Sequence, residues 1–238
     1  MRLLIVVLSL LMCWYSLAAQ TAFAAKKITG SQIPPAIKFR GKINEAWKWN
    51  DKLGENLLIT SGVDKYKDKA SVPESDEDPF SVELHAFHFI KKDSVYKLLW
   101  KLSDAEKICT FDLTVSFIEG TIKITDLDKD DIAETTMQYK LACRSDASPA
   151  LMKLIMHEDT VKYALRGSMW LDTGEQNKYP VTEKNMNLET WKEYKGTEDE
   201  WEKLFGRYQT EMEFSKAPPS FLTFARRQWH LHAKESFE

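Results

Sequence analysis

Between Cys109 and Cys143 apolar and polar residues trade places at every second position, which is the repeat of half-buried β-strands rather than of a helix. Cys109, Phe111, Leu113, Val115 and Phe117 alternate with Thr110, Asp112, Thr114 and Ser116. Glu119-Gly120 then offers a short turn, with glycine free to take the positive φ such turns need. Thr121 to Thr125 returns as a strand, and Thr135, Met137, Tyr139, Leu141 and Cys143 form one face of the next. The piece joining these two strands, Asp126 to Ala133, is acidic, so the sequence predicts an acidic loop inside a β-hairpin.

That loop reads DLDKDDIAE through Glu134. A hard divalent cation takes several oxygen ligands, and acids on alternate residues of one short loop gather them from little backbone. Counting Asp126 as position one puts Asp128 at three, Asp130 at five, the Ile132 carbonyl at seven and Glu134 at nine. These five residues are the expected metal ligands, and calcium is the expected ion. An EF-hand also places glutamate at position twelve, where this chain has Met137, and it flanks the loop with helices rather than strands. The spacing resembles the Asp-x-Asp-x-Asp loops of β-propeller and integrin-like hairpins. Asp131 stands where those loops carry glycine, and aspartate is among the few residues that tolerate the left-handed backbone.

The remaining chain extends the β pattern. Ile37 to Trp49, broken at Gly41, and Asn56 to Thr60 read as two strands around Asn50 to Glu55, and Phe80 to Lys91 and Tyr96 to Lys101 as two more. His85 and His88 fall on opposite faces of such a strand, so they do not chelate together. Tyr66 to Pro79 is a charged loop, and Met152 to Glu158 with Lys162 to Arg166 makes a further hairpin around Asp159-Thr160. Trp47, Trp49 and Trp170 suit either a β core or the stacking of sugar rings. Arg144, Asp146 and Ser148 read as turn formers. Beyond Tyr179 the period changes: Thr197 with Glu200 suggests a capping box, and Trp201, Leu204, Phe205, Tyr208 and Met212 recur at helical spacing. A last helix follows Pro218-Pro219. The expected fold class is therefore α+β, mostly antiparallel β-hairpins with C-terminal helices packed on the sheet.

Residues 1–24 have the form of a secretory signal peptide: Arg2, an apolar run from Leu3 to Leu17, then alanines at cleavage spacing. The expected division is this leader, a β-rich body over 25–180 and a C-terminal helical segment of the same domain over 181–238. The net charge of −3 excludes a broad basic footprint for nucleic acid. Export favours a Cys109–Cys143 disulfide. A plain meander would instead leave the two sulfurs at opposite ends of parallel strands, farther apart than the roughly 7 Å between Cα atoms that a disulfide spans. The pairing stays open on sequence grounds.

ITDLDKDDIAE, CRSDASP, MKLIMHE and KYALRG, in that order between Cys109 and Gly167, together resemble a family of exported bacterial proteins labelled for surface polysaccharide biosynthesis. The resemblance implies a role at the cell envelope, in the periplasm or at the cell surface, with an envelope polysaccharide or protein as partner. It implies no reaction and no catalytic residue. The expected function is a non-catalytic accessory or binding factor with a structural calcium site. A calcium-assisted glycan hydrolase and an exported protein-binding or inhibitor module are the alternatives.

Overall fold

A computed structural model describes residues 24–68, 77–172 and 178–236. The expected leader, the tip of the charged loop after Tyr66 and the end of the Trp170 to Glu175 stretch lie outside the described residues.

Five strands form a first antiparallel sheet in simple succession: β1 (Lys26–Ile28), β2 (Lys42–Asp51), β3 (Gly54–Lys67), β4 (Phe80–Lys92) and β5 (Val95–Cys109). A second antiparallel sheet holds β6 (Asp112–Phe117), β7 (Lys123–Thr125), β8 (Glu134–Arg144), β9 (Leu151–Glu158) and β10 (Val161–Ser168). A short parallel pair, β11 (Trp170–Asp172) and β12 (Lys234–Ser236), returns the chain end to the body.

The sheets pack face to face, and alternation along each strand decides which residues meet. Leu58, Leu84, Trp49 and Trp100 from the first sheet meet Met137, Tyr139, Ile155 and Ala164 from the second. The other face of the first sheet, with Leu57, Ile59, Phe87 and Phe89, is covered by Ile33 and Ile37 from the segment ahead of β2. Both faces of β3 are thus buried, which is why its centre reads Leu57-Leu58-Ile59 without a polar break. Trimming one of these three to alanine costs about 2–5 kcal/mol. The outer face of the second sheet, Met152, Leu154, Met156 and Leu165, lies under Phe221, Ala225 and Trp229 of α1 (Pro219–His232).

The architecture is β-rich, and the α+β expectation is corrected accordingly: α1 is the one α-helix among the described residues. The stretch expected as the other helix, Thr197 to Met212, is a series of turns with a short 3-10 piece at Glu202–Leu204. Its apolar residues do not share a face, since Tyr208 is fully buried while Trp201 is 59% and Met212 68% exposed. The capping box is also absent: the Thr197 hydroxyl donates back to the Tyr194 carbonyl, and Glu200 accepts from Gly196 N–H. Gly206 then turns the chain with φ +74°, so Tyr208 can bridge to Gly167 of β10 and to Asn187. That approach is close enough that a Cβ on Gly167 would lie 1.9 Å from the Arg207 carbonyl, so only glycine fits there.

The cysteine question is settled by topology. β6 and β7 flank the turn at Glu119-Gly120, yet they do not pair with each other; both run antiparallel to β8. β6 lies along the far half of β8, with Leu113 opposite Cys143, so the end of β5 reaches the end of β8. Cys109 and Cys143 form a disulfide with 5.8 Å between Cα atoms. The bond accords with an oxidising compartment, and no described helix is long and apolar enough to cross a membrane.

Candidate metal centre

The acidic loop joins β7 to β8 as its sequence predicts, with Thr125 paired to Glu134 across its base. Its path is held by its own acids. Asp126 Oδ1 accepts from Asp130 N–H at 3.1 Å, and Asp130 Oδ1 accepts from Ile132 N–H at 2.8 Å. Lys129 and Asp131 take left-handed conformations with φ of +66° and +67°, so aspartate adopts here the backbone that glycine most readily takes. The β2–β3 turn fastens the loop from outside. Lys52 N–H donates to the Asp131 carbonyl at 2.8 Å and Lys52 Nζ to the Asp130 carbonyl, while Asp51 accepts from Ala133 N–H.

Asp126, Asp128 and Asp130 each place a carboxylate oxygen within 4.8 Å of the other two. A second group of the same closeness contains Asp128, Glu134 and Glu158, so Asp128 belongs to both. Glu134 is fully buried. It caps the loop: both its oxygens accept from Leu127 N–H at 3.0 Å, and one accepts from the Thr125 hydroxyl at 2.8 Å. Ile132 lies in the loop with its N–H on Asp130, as above.

Glu158 is the member that sequence reasoning missed. It closes β9 and stands directly opposite Glu134 in the β8–β9 register. The signal for it was its parity with Met152, Leu154 and Met156, which places an acid at the end of an otherwise apolar face. That parity becomes informative only once β9 is known to pair with β8.

The electrostatics follow from this crowding. Burial pushes the Glu134 carboxyl up to about 8 despite the donors from Thr125 and Leu127. Burial, together with the charges of Asp128, Asp130, Asp159 and Asp126, pushes Glu158 up to about 7. Asp128 is raised by burial and by Asp130 beside it. Among the described residues none of the five carboxylates has a lysine, arginine or histidine within ion-pair distance, and Glu158 Oε1 is buried without a hydrogen-bond donor. An all-oxygen set of this kind suits calcium, which accepts six to eight oxygens in flexible geometry, better than magnesium, which demands a near-ideal octahedron.

The other candidates resolve into structural roles. Trp49 is buried between the sheets, so it does not offer its face to a sugar. His88 faces that same inter-sheet core, where its Nε2 meets Asn56 Oδ1 at 2.9 Å, whereas His85 bonds Ser103. Asp146 accepts from Ser148 N–H at 3.0 Å and Arg144 grips Glu235, a turn and an anchor for the chain end. Set against protein-family models, curated proteins and solved structures, the chain matches none of them.

Proposed function

We propose that this is an exported, non-catalytic accessory or binding factor of the cell envelope, acting in surface polysaccharide biosynthesis, whose acidic loop is locked by a structural calcium ion. The observation that carries the metal reading is the cross-strand pair Glu134–Glu158 under Asp128. Like charges directly opposite on neighbouring strands are destabilising, and here a third carboxylate closes over them with no cationic side chain paired to any of the three among the described residues. A bound cation relieves all three at once. The envelope assignment rests on the resemblance between Cys109 and Gly167, and the disulfide supports it through its compartment.

In this reading Asp126, Asp128, Asp130, Glu134 and Glu158 hold the ion, with the Ile132 carbonyl as a further oxygen. The ion ties β7, β8 and β9 together and supplies no chemistry. Binding the folded state alone stabilises it by mass action, by about 2.7 kcal/mol when calcium exceeds its dissociation constant a hundredfold. For a chain of this size that is a rise in melting temperature of roughly 5–10 °C. The test is a pair of thermal melts of the mature protein, one in calcium and one in chelator. Coincident midpoints, or an Asp128→Ala variant that keeps the full calcium shift, would sink the reading.

A further inference from the structure

A cleft of about 700 Å³ opens between the β9–β10 hairpin and the irregular segment 186–212, away from the acidic loop. Its volume lies within the range of small-molecule sites. Two features of its lining point to what it takes. The first is charge. Arg207, only 1% exposed, lies in the cleft wall with every guanidinium donor on a backbone carbonyl and no carboxylate partner among the described residues. Lys192 and Lys195, also in the lining, are exposed and likewise make no ion pair among the described residues. The lining acids are engaged in local structure: Glu189 accepts from the Thr210 hydroxyl and Glu200 from Gly196 N–H. Lys153 and Arg166 are paired, with Asp104 and Glu213.

The second feature is the apolar wall. Leu151, 53% exposed, and Met212, more exposed still, line the same cleft as half-buried Leu204. The one aromatic residue in the lining, Tyr194, is itself buried, so no open ring face is offered to a sugar. Flexible aliphatic and thioether side chains suit a hydrocarbon instead.

We propose that this cleft binds a small amphipathic anion, with a carboxylate or phosphate head against Lys192 and Lys195 and an aliphatic chain along Leu151, Leu204 and Met212. The site is independent of the calcium reading and stands or falls without it.

Isothermal titration of the mature protein, in chelator and again in calcium, tests the proposal with dodecanoate, dodecyl phosphate, dodecanol and dodecyltrimethylammonium, each below its micellar concentration. Saturable one-to-one binding of the two anions is expected, with the neutral and cationic probes weaker by roughly tenfold or more. The double variant Lys192→Glu/Lys195→Glu should weaken anion binding by a similar factor, roughly tenfold, while melting like the parent. Leu204→Trp, which fills the cleft and leaves the charges in place, should weaken it by at least as much. Equal affinity for dodecanol, anion binding unchanged in the charge-reversal or the Leu204→Trp variant, or association only with anionic phospholipid vesicles and not with the monomeric probes would each overturn it.

Discussion

At the acidic loop, five carboxylates form two close groups that share Asp128, and among the described residues none of them pairs with a cationic side chain. At Arg207, a buried guanidinium has no carboxylate partner among the described residues. The two regions carry the same imbalance with opposite sign, and they answer it differently. Arg207 has five N–H donors, and the chain supplies five carbonyls in range: Asn185, Lys203, Phe205, Tyr179 and Pro180, at 2.9 to 3.3 Å. Its guanidinium carbon also lies 4.3 Å from the centroid of the Trp191 ring. Backbone dipoles thus stand in for a counter-ion, and the side chain knits together a stretch that has neither helix nor sheet. The acids have no matching set of donors. Asp126, Asp130 and Glu134 each accept from loop N–H groups, but Glu158 Oε1 accepts from nothing. What the polypeptide completes internally at Arg207 it leaves incomplete at the loop, and that is the place the proposed calcium ion would fill.

The largest effect is expected where the internal solution is removed. Arg207→Met removes five hydrogen bonds that tie Tyr179, Pro180, Asn185, Lys203 and Phe205 to one side chain, so urea unfolding should report a loss of about 3 kcal/mol or more. Arg207→Lys should recover little of it, because an ammonium offers three donors on a flexible stem rather than five in a planar fork. If lysine restores parental stability, charge alone holds the segment and the contrast with the loop fails.

Next comes the covalent clamp. Cys109 and Cys143 are 34 residues apart and enclose the whole acidic loop in sequence. Opening a closure of that length, by Cys109→Ala/Cys143→Ala, is expected to cost about 3–4 kcal/mol. Calcium affinity should hardly change, because the bond fastens the end of β8 remote from Glu134. A variant that lost both stability and calcium binding would show that the loop depends on the disulfide, against the division drawn here.

The pH dependence separates the two kinds of buried ionisable group. Burial drives His88 from 6.5 to about 3, with neighbouring His157 adding to the effect. The unfolded chain therefore takes up a proton below pH 6.5 that the folded chain refuses, so this contribution to stability is present above 6.5 and is lost as pH falls. Glu134 and Glu158 have the opposite sign. Folded values of about 8 and about 7 stand against 4.5 in the unfolded chain, so in chelator their contribution is full below 4.5 and is lost as pH rises through 7 to 8. In the proposed site calcium would take the place of those protons. The calcium-induced rise in melting temperature should accordingly grow from pH 5 to pH 8, and a rise independent of pH would show that the two glutamates do not bind the ion.

The sequence carried the strands and the loop because both are written in neighbouring residues. Period-two alternation places Met137, Tyr139 and Leu141 on one face wherever β8 ends up, and Asp126, Asp128 and Asp130 fall together whatever the rest of the chain does. The disulfide, Glu158 and Arg207 depend on residues far apart in the chain. Cys109 meets Cys143 because β6 and β7 share β8 as a partner, an arrangement that alternation alone does not specify. Glu158 joins the acids through strand register. The misread helix has the same origin: the spacing from Trp201 to Met212 is helical, but Arg207 draws carbonyls from Tyr179, Pro180 and Asn185, ahead of that stretch, as well as from Lys203 and Phe205 within it, and Gly206 turns the chain midway. Gly206 is the one local sign of the break; the carbonyls that Arg207 gathers are not visible from the sequence around it.

The smallest expected effect is also the sharpest discriminator, because its sign reverses with the ion. Glu158→Gln removes one charge from the like-charged pair opposite Glu134 and keeps the shape of the side chain. In chelator at pH 8 the variant should be more stable than the parent, by about 1 kcal/mol or less. In calcium it should be less stable, since an amide oxygen is a weaker ligand than a carboxylate and the loop loses one of its negative charges. Denaturant curves of both proteins under both conditions give the four values needed. A site without a metal predicts the variant to be the more stable in both solutions, and a purely structural glutamate predicts it to be the less stable in both. Only a cation held between β8 and β9 makes the curves cross.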